Sequence, residues 1–113
     1  MARDYILVIN PGSTSTKVAL FKEDVEIKSH KINHSGEELK KYKEIFDQYE
    51  YRLNLIYNWL KDEEISTKSL KAVVGRGGIL RPMPGGTYLV TEAMVEDLKI
   101  GIGGEHAANL GGI

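Results

Sequence analysis

The order of apolar and polar positions predicts that strands come first and helices later. Residues 6–9 form an unbroken apolar run rich in β-branched side chains, which is typical of a strand in the middle of a sheet. Residues 18–21 and 25–34 follow as two further strands, separated by the turn residues 22–24. Apolar positions in the third strand change from odd to even numbers, which predicts a bulge near Lys28 and Ser29. Three strands with such short connections predict an antiparallel β-meander.

A long helix is predicted next. Ser35 is followed three residues later by Glu38, the pattern of a capping box. The apolar positions after it recur at alternating steps of three and four, which predicts a helix over residues 37–61, with residues 48–50 as the weakest point. At about 1.5 Å per residue such a helix would be on the order of 37 Å long and would lie on the sheet. The stripe consists of Leu39, Tyr42, Phe46, Tyr49, Leu53, Ile56 and Leu60.

The last third of the chain alternates between short regular elements and glycine-rich loops. Residues 70–74 predict a strand parallel to the first one, because a helix connects the two. Residues 87–90 predict a further short strand, and Thr91 caps a helix that runs to about Lys99 and ends at Gly101. Residues 105–110 read as the start of another helix. The predicted fold class is therefore α/β, with a β-meander followed by alternating helices and strands and a mixed sheet.

Composition narrows the classes of protein to which this chain can belong. With 113 residues, of which 42% are hydrophobic, the chain is long enough for one domain with its own core. A net charge of −1, from 15 basic and 16 acidic residues, argues against nucleic-acid and membrane partners. The absence of cysteine excludes disulfides and thiolate metal sites and fits a cytoplasmic protein. The helix that begins at residue 105 has no closing element after it, which predicts that the chain is part of a longer protein.

The most informative chemistry lies between the first two strands. Asn10 enters a loop with four hydroxyl side chains, and Lys17 leaves it. Pro11 and Gly12 end the first strand and allow a tight turn that exposes backbone N–H groups. Such N–H groups, hydroxyls and one ammonium are the components of an oxyanion cradle. The Walker A loop is excluded, because Thr16 stands where that motif needs glycine and a strand follows instead of a helix. An ordinary Ser/Thr-rich surface turn fits the spacing equally well.

Two further residues are candidates for binding an anion. Arg76 follows the predicted strand 70–74 and is flanked by glycines, and ligands of open α/β sheets bind beyond the carboxyl ends of strands. A guanidinium there can hold a carboxylate or a phosphate through two hydrogen bonds. His106 lies at a helix start, where an imidazole can contact an anion, although a role as a plain helix-start residue fits equally well. His30 and His34 share a strand face, but without further ligands they are predicted to face solvent and not to bind a metal.

Four segments together resemble a known family. Residues 9–17, 74–78, 81–88 and 105–111 are similar to the corresponding motifs of the butyrate kinases, in the acetokinase family of the actin, Hsp70 and sugar-kinase superfamily. The resemblance implies a ribonuclease H-like (actin-like ATPase) domain, with residues 1–113 as the incomplete amino-terminal part of the first of two domains. It implies ATP-dependent phosphorylation of a short-chain fatty acid carboxylate, butyrate to butyryl phosphate, by in-line phosphoryl transfer. This piece alone would then be inactive.

The resemblance also implies roles for individual residues and partners. Arg76 and His106 would be catalytic and contact the carboxylate or the transferring phosphoryl group. Asn10 would position Mg²⁺, directly or through water. ATP would be the co-substrate, and the intact enzyme would be a homo-oligomer. Leu80, Met83 and Leu89 are candidates for the wall of an acyl pocket. The phosphates of ATP would be bound by Gly12, Ser13, Thr14, Ser15 and Lys17.

Two alternatives stay open at the level of sequence. Another kinase of the superfamily, acting on a sugar or another small molecule, would need a catalytic aspartate that activates a hydroxyl group. A non-catalytic binding or assembly module could share only the fold.

Overall fold

The first part of the chain folds into an antiparallel meander. The computed structural model describes residues 4–76, 85–104 and 106–112. Strand β1 spans Tyr5–Pro11, β2 spans Ser15–Lys22 and β3 spans Val25–Asn33. Strands β1 and β2 pair antiparallel, as do β2 and β3. The three predicted strands and their connections are therefore confirmed.

Strand β4, at Leu70–Gly75, completes the sheet of the described residues. It pairs with β1 in parallel, which gives four strands in the order β3-β2-β1-β4. The predicted α/β class, the central position of the first strand and the mixed sheet are confirmed. The order of elements is the one expected for the ribonuclease H-like domain that the resemblance implies.

The predicted bulge in β3 is present close to its expected position. Leu20 pairs with Lys28, whereas the next residue of β2, Phe21, pairs with Glu26. Ile27 is therefore the extra residue, one position before Lys28. A bulge of this kind changes which side chains face the core, and this change is what the shift of apolar parity indicated.

One helix forms the core with one face of the sheet. Helix α2, at Tyr49–Asp62, packs its buried side chains against β1 and β2. Full burial of a large apolar side chain contributes about 1.5–3 kcal/mol, so this cluster fixes the strands that carry the predicted site. On the other face of the sheet Val74 stays exposed. The buried cluster consists of Leu7, Val18, Leu20, Ile56, Trp59 and Leu60.

The prediction of one continuous helix over residues 37–61 is wrong. Helix α1, at Gly36–Leu39, is a single turn capped by Ser35, a 3₁₀ helix follows at Ile45–Gln48, and α2 begins only at Tyr49. A second capping box, between Glu44 and Asp47, begins a new helical segment. The spacing of apolar residues alone does not reveal that the helix is interrupted there. No helix in the described ranges is both long and apolar enough to cross a membrane.

The second predicted helix is confirmed. Helix α3 spans Glu92–Ile100, and the hydroxyl of Thr91 accepts a hydrogen bond from the N–H of Met94 at 3.2 Å. Gly101 ends the helix in the left-handed conformation, with φ of 69°.

The segments on either side of α3 differ from expectation. Residues 87–90 form no strand, and the side chain of Leu89 is 92% exposed. Residue types that favour strands form one only where a neighbouring strand offers hydrogen bonds. The predicted helix after residue 105 is a 3₁₀ helix, Ala107–Gly112. Several other expectations fall outside the described residues, namely the loop at 81–84, the glycines after Arg76, Leu80 and Met83.

Candidate functional site

The loop between β1 and β2 is a tight hairpin. The N–H of Gly12 donates to the carbonyl of Ser15 at 2.7 Å and closes the loop. In the register of the two strands, Asn10 lies directly opposite Lys17. Opposed residues of antiparallel strands point to the same side of the sheet. The structure therefore brings the predicted metal residue and the predicted phosphate-binding lysine together on one face.

The hairpin presents polar groups that are not used within the described part of the chain. Neither the N–H of Ser13 nor that of Thr14 has an acceptor there, and both residues are exposed. Unused donors at the tip of a rigid hairpin are available to a ligand. Four side chains also make no hydrogen bond or ion pair with described residues, those of Asn10, Ser13, Ser15 and Lys17.

A surface cavity with a volume of about 700 Å³ lies beside Asn10 and Lys17. Lys31 lies directly opposite Lys17 on β3, so two ammonium groups share this face. Like charges opposite each other repel, and an anion between them relieves the repulsion. Glu26 also lines this surface. The other lining residues are Val8, Val18, Ala19, Ser29 and His30.

Arg76 lies immediately after β4, at its carboxyl end. Its N–H donates to the carbonyl of Ile9 at 2.9 Å and continues the pairing of β4 with β1. This places Arg76, one residue beyond the end of β4, beside Asn10 of β1. Arg76 is exposed. The predicted position of the arginine, beyond the carboxyl end of a parallel strand, is the one found.

The 3₁₀ helix Ala107–Gly112 is held against the same end of the sheet. A Cβ atom added to Gly75 would lie 1.8 Å from the carbonyl oxygen of Gly111. A Cβ atom on Gly111 would lie 2.9 Å from the carbonyl oxygen of Arg76 and 3.3 Å from Cδ of Pro11. Glycine is required at both places because the two backbones approach too closely for any side chain. The hairpin, the Arg76 backbone and this helix therefore meet at one end of the sheet.

His106 precedes this helix and is exposed. Its Nδ1 accepts a hydrogen bond from the N–H of Ala108 at 3.0 Å. An accepting Nδ1 carries no proton, so the proton of the neutral ring is on Nε2. Because Nε2–H is a donor, His106 has the tautomer that can donate to an anionic oxygen.

A buried polar cluster behind the hairpin was not predicted from the sequence. Arg52 is only 3% exposed and His34 only 6%, so the prediction that His34 faces solvent is wrong. His34 contacts the hydroxyl of Thr16, with Nε2 and Oγ1 2.8 Å apart. Burial, and then the charge of Arg52, lower the pKa of His34 below its ordinary value. A sequence signal existed, because Arg52 lies between Tyr49 and Ile56 on the apolar side of α2.

An apolar cavity of about 320 Å³ lies on this helix side of the hairpin. Among the described residues that line it, Arg52 is the only one with a charged side chain, and the hydroxyl of Thr16 lies beside it. Asn10 and Lys17 line the other concavity, on the opposite face of the sheet. The apolar lining comes largely from Ile9, Pro11, Leu53, Ile56, Val95 and Leu110.

The described residues do not form a metal site on their own. No group of three or more His, Asp or Glu side chains in residues 4–76, 85–104 and 106–112 could hold an ion. Beside the hairpin, Asn10 and Asn33 offer amide oxygens, opposite Lys17 and Ser15 respectively. Mg²⁺ is commonly held by one or two carboxylates together with substrate phosphates and water, so most of its ligands would have to come from elsewhere.

Comparison with known proteins gives a consistent set of relatives. The chain is 53% identical to butyrate kinase 1 and 54% identical to butyrate kinase 2 of Clostridium acetobutylicum, over 108 residues in each case. It is 49% identical to a probable butyrate kinase of Clostridium botulinum. Each alignment covers 96% of this chain. The chain resembles butyrate kinases over nearly its whole length.

This similarity confirms the resemblance inferred from the four segments. The chain spans about 30% of the length of these butyrate kinases. No family model matches the chain. The roles of individual residues therefore depend on the geometry described above.

Proposed function

We propose that the intact protein is a butyrate kinase, which transfers the terminal phosphoryl group of ATP to the carboxylate of butyrate or a similar short-chain fatty acid. One structural observation carries the proposal. The unused donors of the β1–β2 hairpin lie at the same end of the sheet as Arg76 and the segment that begins at His106. The similarity of this chain to proteins named butyrate kinase supports the identity of the substrates.

The chemistry fits a site made of cations and hydrogen-bond donors. A carboxylate is already a nucleophile, so no strong base is needed, and the protein has to align two anions and reduce their repulsion. Lys17 and the hairpin N–H groups of residues 13 and 14 would bind phosphate oxygens, together with the hydroxyls of Ser13 and Ser15. Such donors stabilise the charge that spreads over the phosphoryl oxygens in the transition state.

Arg76 and His106 would contact the carboxylate of the acceptor or the phosphoryl group that is transferred to it. The guanidinium can hold the carboxylate or the transferring phosphoryl group through two hydrogen bonds. His106 would donate from Nε2 to an oxygen of the same group, because its Nδ1 is occupied by the Ala108 N–H. Both contacts would orient the acceptor for in-line attack.

Mg²⁺ is proposed as the cofactor. The chemistry that such an ion would supply is positive charge that screens the phosphates. Asn10 is the described residue that would contact it, directly or through water. The remaining ligands would come from the nucleotide, water and the rest of the protein, as would the adenine site.

The architecture of the whole enzyme follows from the same proposal. Residues 1–113 would form an incomplete amino-terminal ribonuclease H-like domain of a two-domain, cytoplasmic, homo-oligomeric kinase. They would supply one side of the cleft for phosphoryl transfer, so this chain alone would be inactive.

The test measures acyl phosphate formation by the intact protein. Wild-type protein with ATP, Mg²⁺, butyrate and hydroxylamine should give acyl hydroxamate. Lys17→Ala should lower kcat/KM by a factor on the order of 100–1000, the usual effect of removing one donor to a developing charge. The control Lys22→Ala removes an exposed lysine at the other end of β2, where it pairs with Tyr5, and should change the rate less than about twofold.

Four results would contradict the proposal. Wild-type protein that forms no hydroxamate would refute the activity, and an unchanged rate for Lys17→Ala would refute the site. Phosphorylation of a sugar but not of butyrate would favour the sugar-kinase alternative. Binding of ATP without turnover of any acceptor would favour a binding module.

A further inference from the structure

Arg52 is a buried cation without a carboxylate partner among the described residues. It lies on α2 and is 3% exposed, and none of the ion pairs in that part of the chain includes it. Burial lowers its pKa, which reflects the free energy needed to keep a charge away from water. A buried guanidinium is tolerated when its N–H groups find good acceptors. The groups that accept hydrogen bonds from Arg52 therefore indicate its structural role.

The guanidinium connects the helix to the hairpin. Nε and Nη2 donate to Oε1 of Gln48, at 3.0 and 2.8 Å. Nη1 donates to the carbonyl of Ser15 at 3.1 Å and to the hydroxyl of Thr16 at 3.2 Å. Gln48 fixes the plane of the guanidinium, so Nη1 is held toward the hairpin. One side chain of α2 therefore contacts two successive residues of the hairpin, and the first of them, Ser15, belongs to the predicted phosphate site.

His34 holds the hairpin at two further points. Its Nε2 lies 2.8 Å from Oγ1 of Thr16, and its backbone N–H donates to the carbonyl of Thr14 at 2.9 Å. Its Nδ1 lies 3.2 Å from the hydroxyl of Tyr51 on α2. Three successive hairpin residues, 14 to 16, are thus attached to buried groups behind them.

These attachments leave the ligand-facing side of the hairpin free. Side chains alternate along a strand, so the burial of Thr16 toward α2 turns Ser15 and Lys17 to the opposite face. The carbonyl of Ser15 accepts from Arg52 and also from the Gly12 N–H that closes the loop. The same bonds therefore fix the shape of the loop and the direction of the donors on its other side.

We propose that Arg52 is a positioning residue for phosphoryl transfer, which acts through Thr16 and the Ser15 carbonyl and is supported by His34. This inference rests on the proposed function, because it assigns Arg52 to the hairpin that would bind phosphate. Arg52 does not touch the substrates in this arrangement. Its removal should change how accurately the hairpin donors are placed, and not only how stable the protein is.

The test compares variants of the intact protein at a temperature at which all of them are folded. Arg52→Gln removes the contacts to the hairpin, and Thr16→Val removes one hydroxyl from the same network with little change in shape. Both should lower kcat markedly, by up to about 100-fold, because a misplacement near 1 Å can have that effect. KM for butyrate should change much less. Thr16→Ser keeps the hydroxyl and should recover most of the activity lost in Thr16→Val.

Leu60→Ala is the matched control, because Leu60 is a buried residue of the same helix in the core cluster. It should destabilise the protein while kcat stays within about threefold of wild type, since it leaves the hairpin contacts intact. If Leu60→Ala loses as much kcat as Arg52→Gln, or if Thr16→Val and Thr16→Ser are equally active, Arg52 has only a structural role and the inference is wrong.

A measurement without turnover separates this inference from the proposed function. Exchange of the Gly12 amide hydrogen, which is bonded to the Ser15 carbonyl, should be at least about tenfold faster in Arg52→Gln than in Leu60→Ala, because the local opening of the hairpin becomes easier. Equal exchange in the two variants would overturn the inference even if the wild type is a kinase. Faster exchange in Arg52→Gln together with an inactive wild type would refute the kinase and leave the positioning of the hairpin in place.

Discussion

Replacing Gly75 by alanine tests whether close backbone contact holds the parts of the site together. The added Cβ would lie 1.8 Å from the carbonyl oxygen of Gly111, 2.4 Å from its carbonyl carbon and 3.1 Å from its Cα. All three are backbone atoms, so no side-chain rotation can relieve the overlap. Either β4 or the 3₁₀ helix Ala107–Gly112 must move.

The required movement is large for a packed contact. Nonbonded atoms are comfortable at about 3.5 Å or more, so the two backbones must separate by roughly 1.5 Å. Overpacking of this kind costs about 1–3 kcal/mol of folding free energy. The separation also affects Ala107 and Asn109, which are buried in the 3₁₀ helix. It would move the His106 segment away from Arg76, and a shift near 1 Å can reduce kcat about 100-fold.

The assay is urea unfolding of the intact protein together with hydroxamate formation. Gly36→Ala is the matched control, because no atom lies within 4 Å of the Cβ that it would add. We expect Gly75→Ala to lose about 1–3 kcal/mol and most of the activity, and Gly36→Ala to stay within about 0.5 kcal/mol of wild type. Equal stability and activity of the two variants would show that the contact between Gly75 and Gly111 is not needed.

Three further predictions concern stability alone. Because burial and Arg52 lower the pKa of His34 in the folded protein, stability should be fully present above its ordinary pKa of 6.5 and fall as the pH is lowered through that value. His34→Gln should remove this part of the pH dependence in urea unfolding, and identical slopes would contradict the assignment. Thr91→Ala should cost about 1 kcal/mol through loss of the helix cap, and Thr91→Ser should restore most of it. Leu20→Ala, at 1% exposure, should cost about 2–5 kcal/mol in the same assay, whereas Leu89→Ala, at 92%, should cost less than about 0.5 kcal/mol.

The strands could be predicted because their signals are local and mutually consistent. A buried apolar run, two short turns and a shift of parity are each visible within about ten residues. The parallel pairing of β4 with β1 followed from the helical segment between them. Even the bulge was visible, since Ile27 and Ile32 cannot both face the core in an unbroken strand.

The failures arise where a local signal competes with the periodic one. The apolar repeat continues from α1 to α2 although the helix is interrupted between them. The interruption arises because the capping box of Glu44 and Asp47 begins a new helical turn. Residues 87–90 have side chains that favour strands but have no neighbouring strand within the described ranges. Periodicity reports which side chains can share a face, and not whether the backbone is continuous or paired.

The face of the hairpin that carries Asn10 and Lys17 could be predicted from the sequence, whereas the contacts between the hairpin and helix α2 could not. The pairing of Asn10 with Lys17 follows from two strands and a short loop, and Arg76 follows from the end of a parallel strand. The contact of Arg52 with Thr16 joins residues 36 positions apart in sequence. Such a contact depends on how α2 crosses the sheet, and no spacing in the sequence contains that information.

The separation of these two sides has a consequence for binding. A loop of serines and threonines is normally flexible, and ordering it around a ligand costs conformational entropy. Here the N–H of His34 already binds the carbonyl of Thr14, and the guanidinium of Arg52 binds the carbonyl of Ser15 and the hydroxyl of Thr16. The ordering is therefore complete before a ligand arrives, while the N–H groups of residues 13 and 14 stay unused. A hairpin fixed in this way can present donors to a phosphoryl group without rearranging as charge develops, which is the condition under which fixed dipoles stabilise a transition state most effectively.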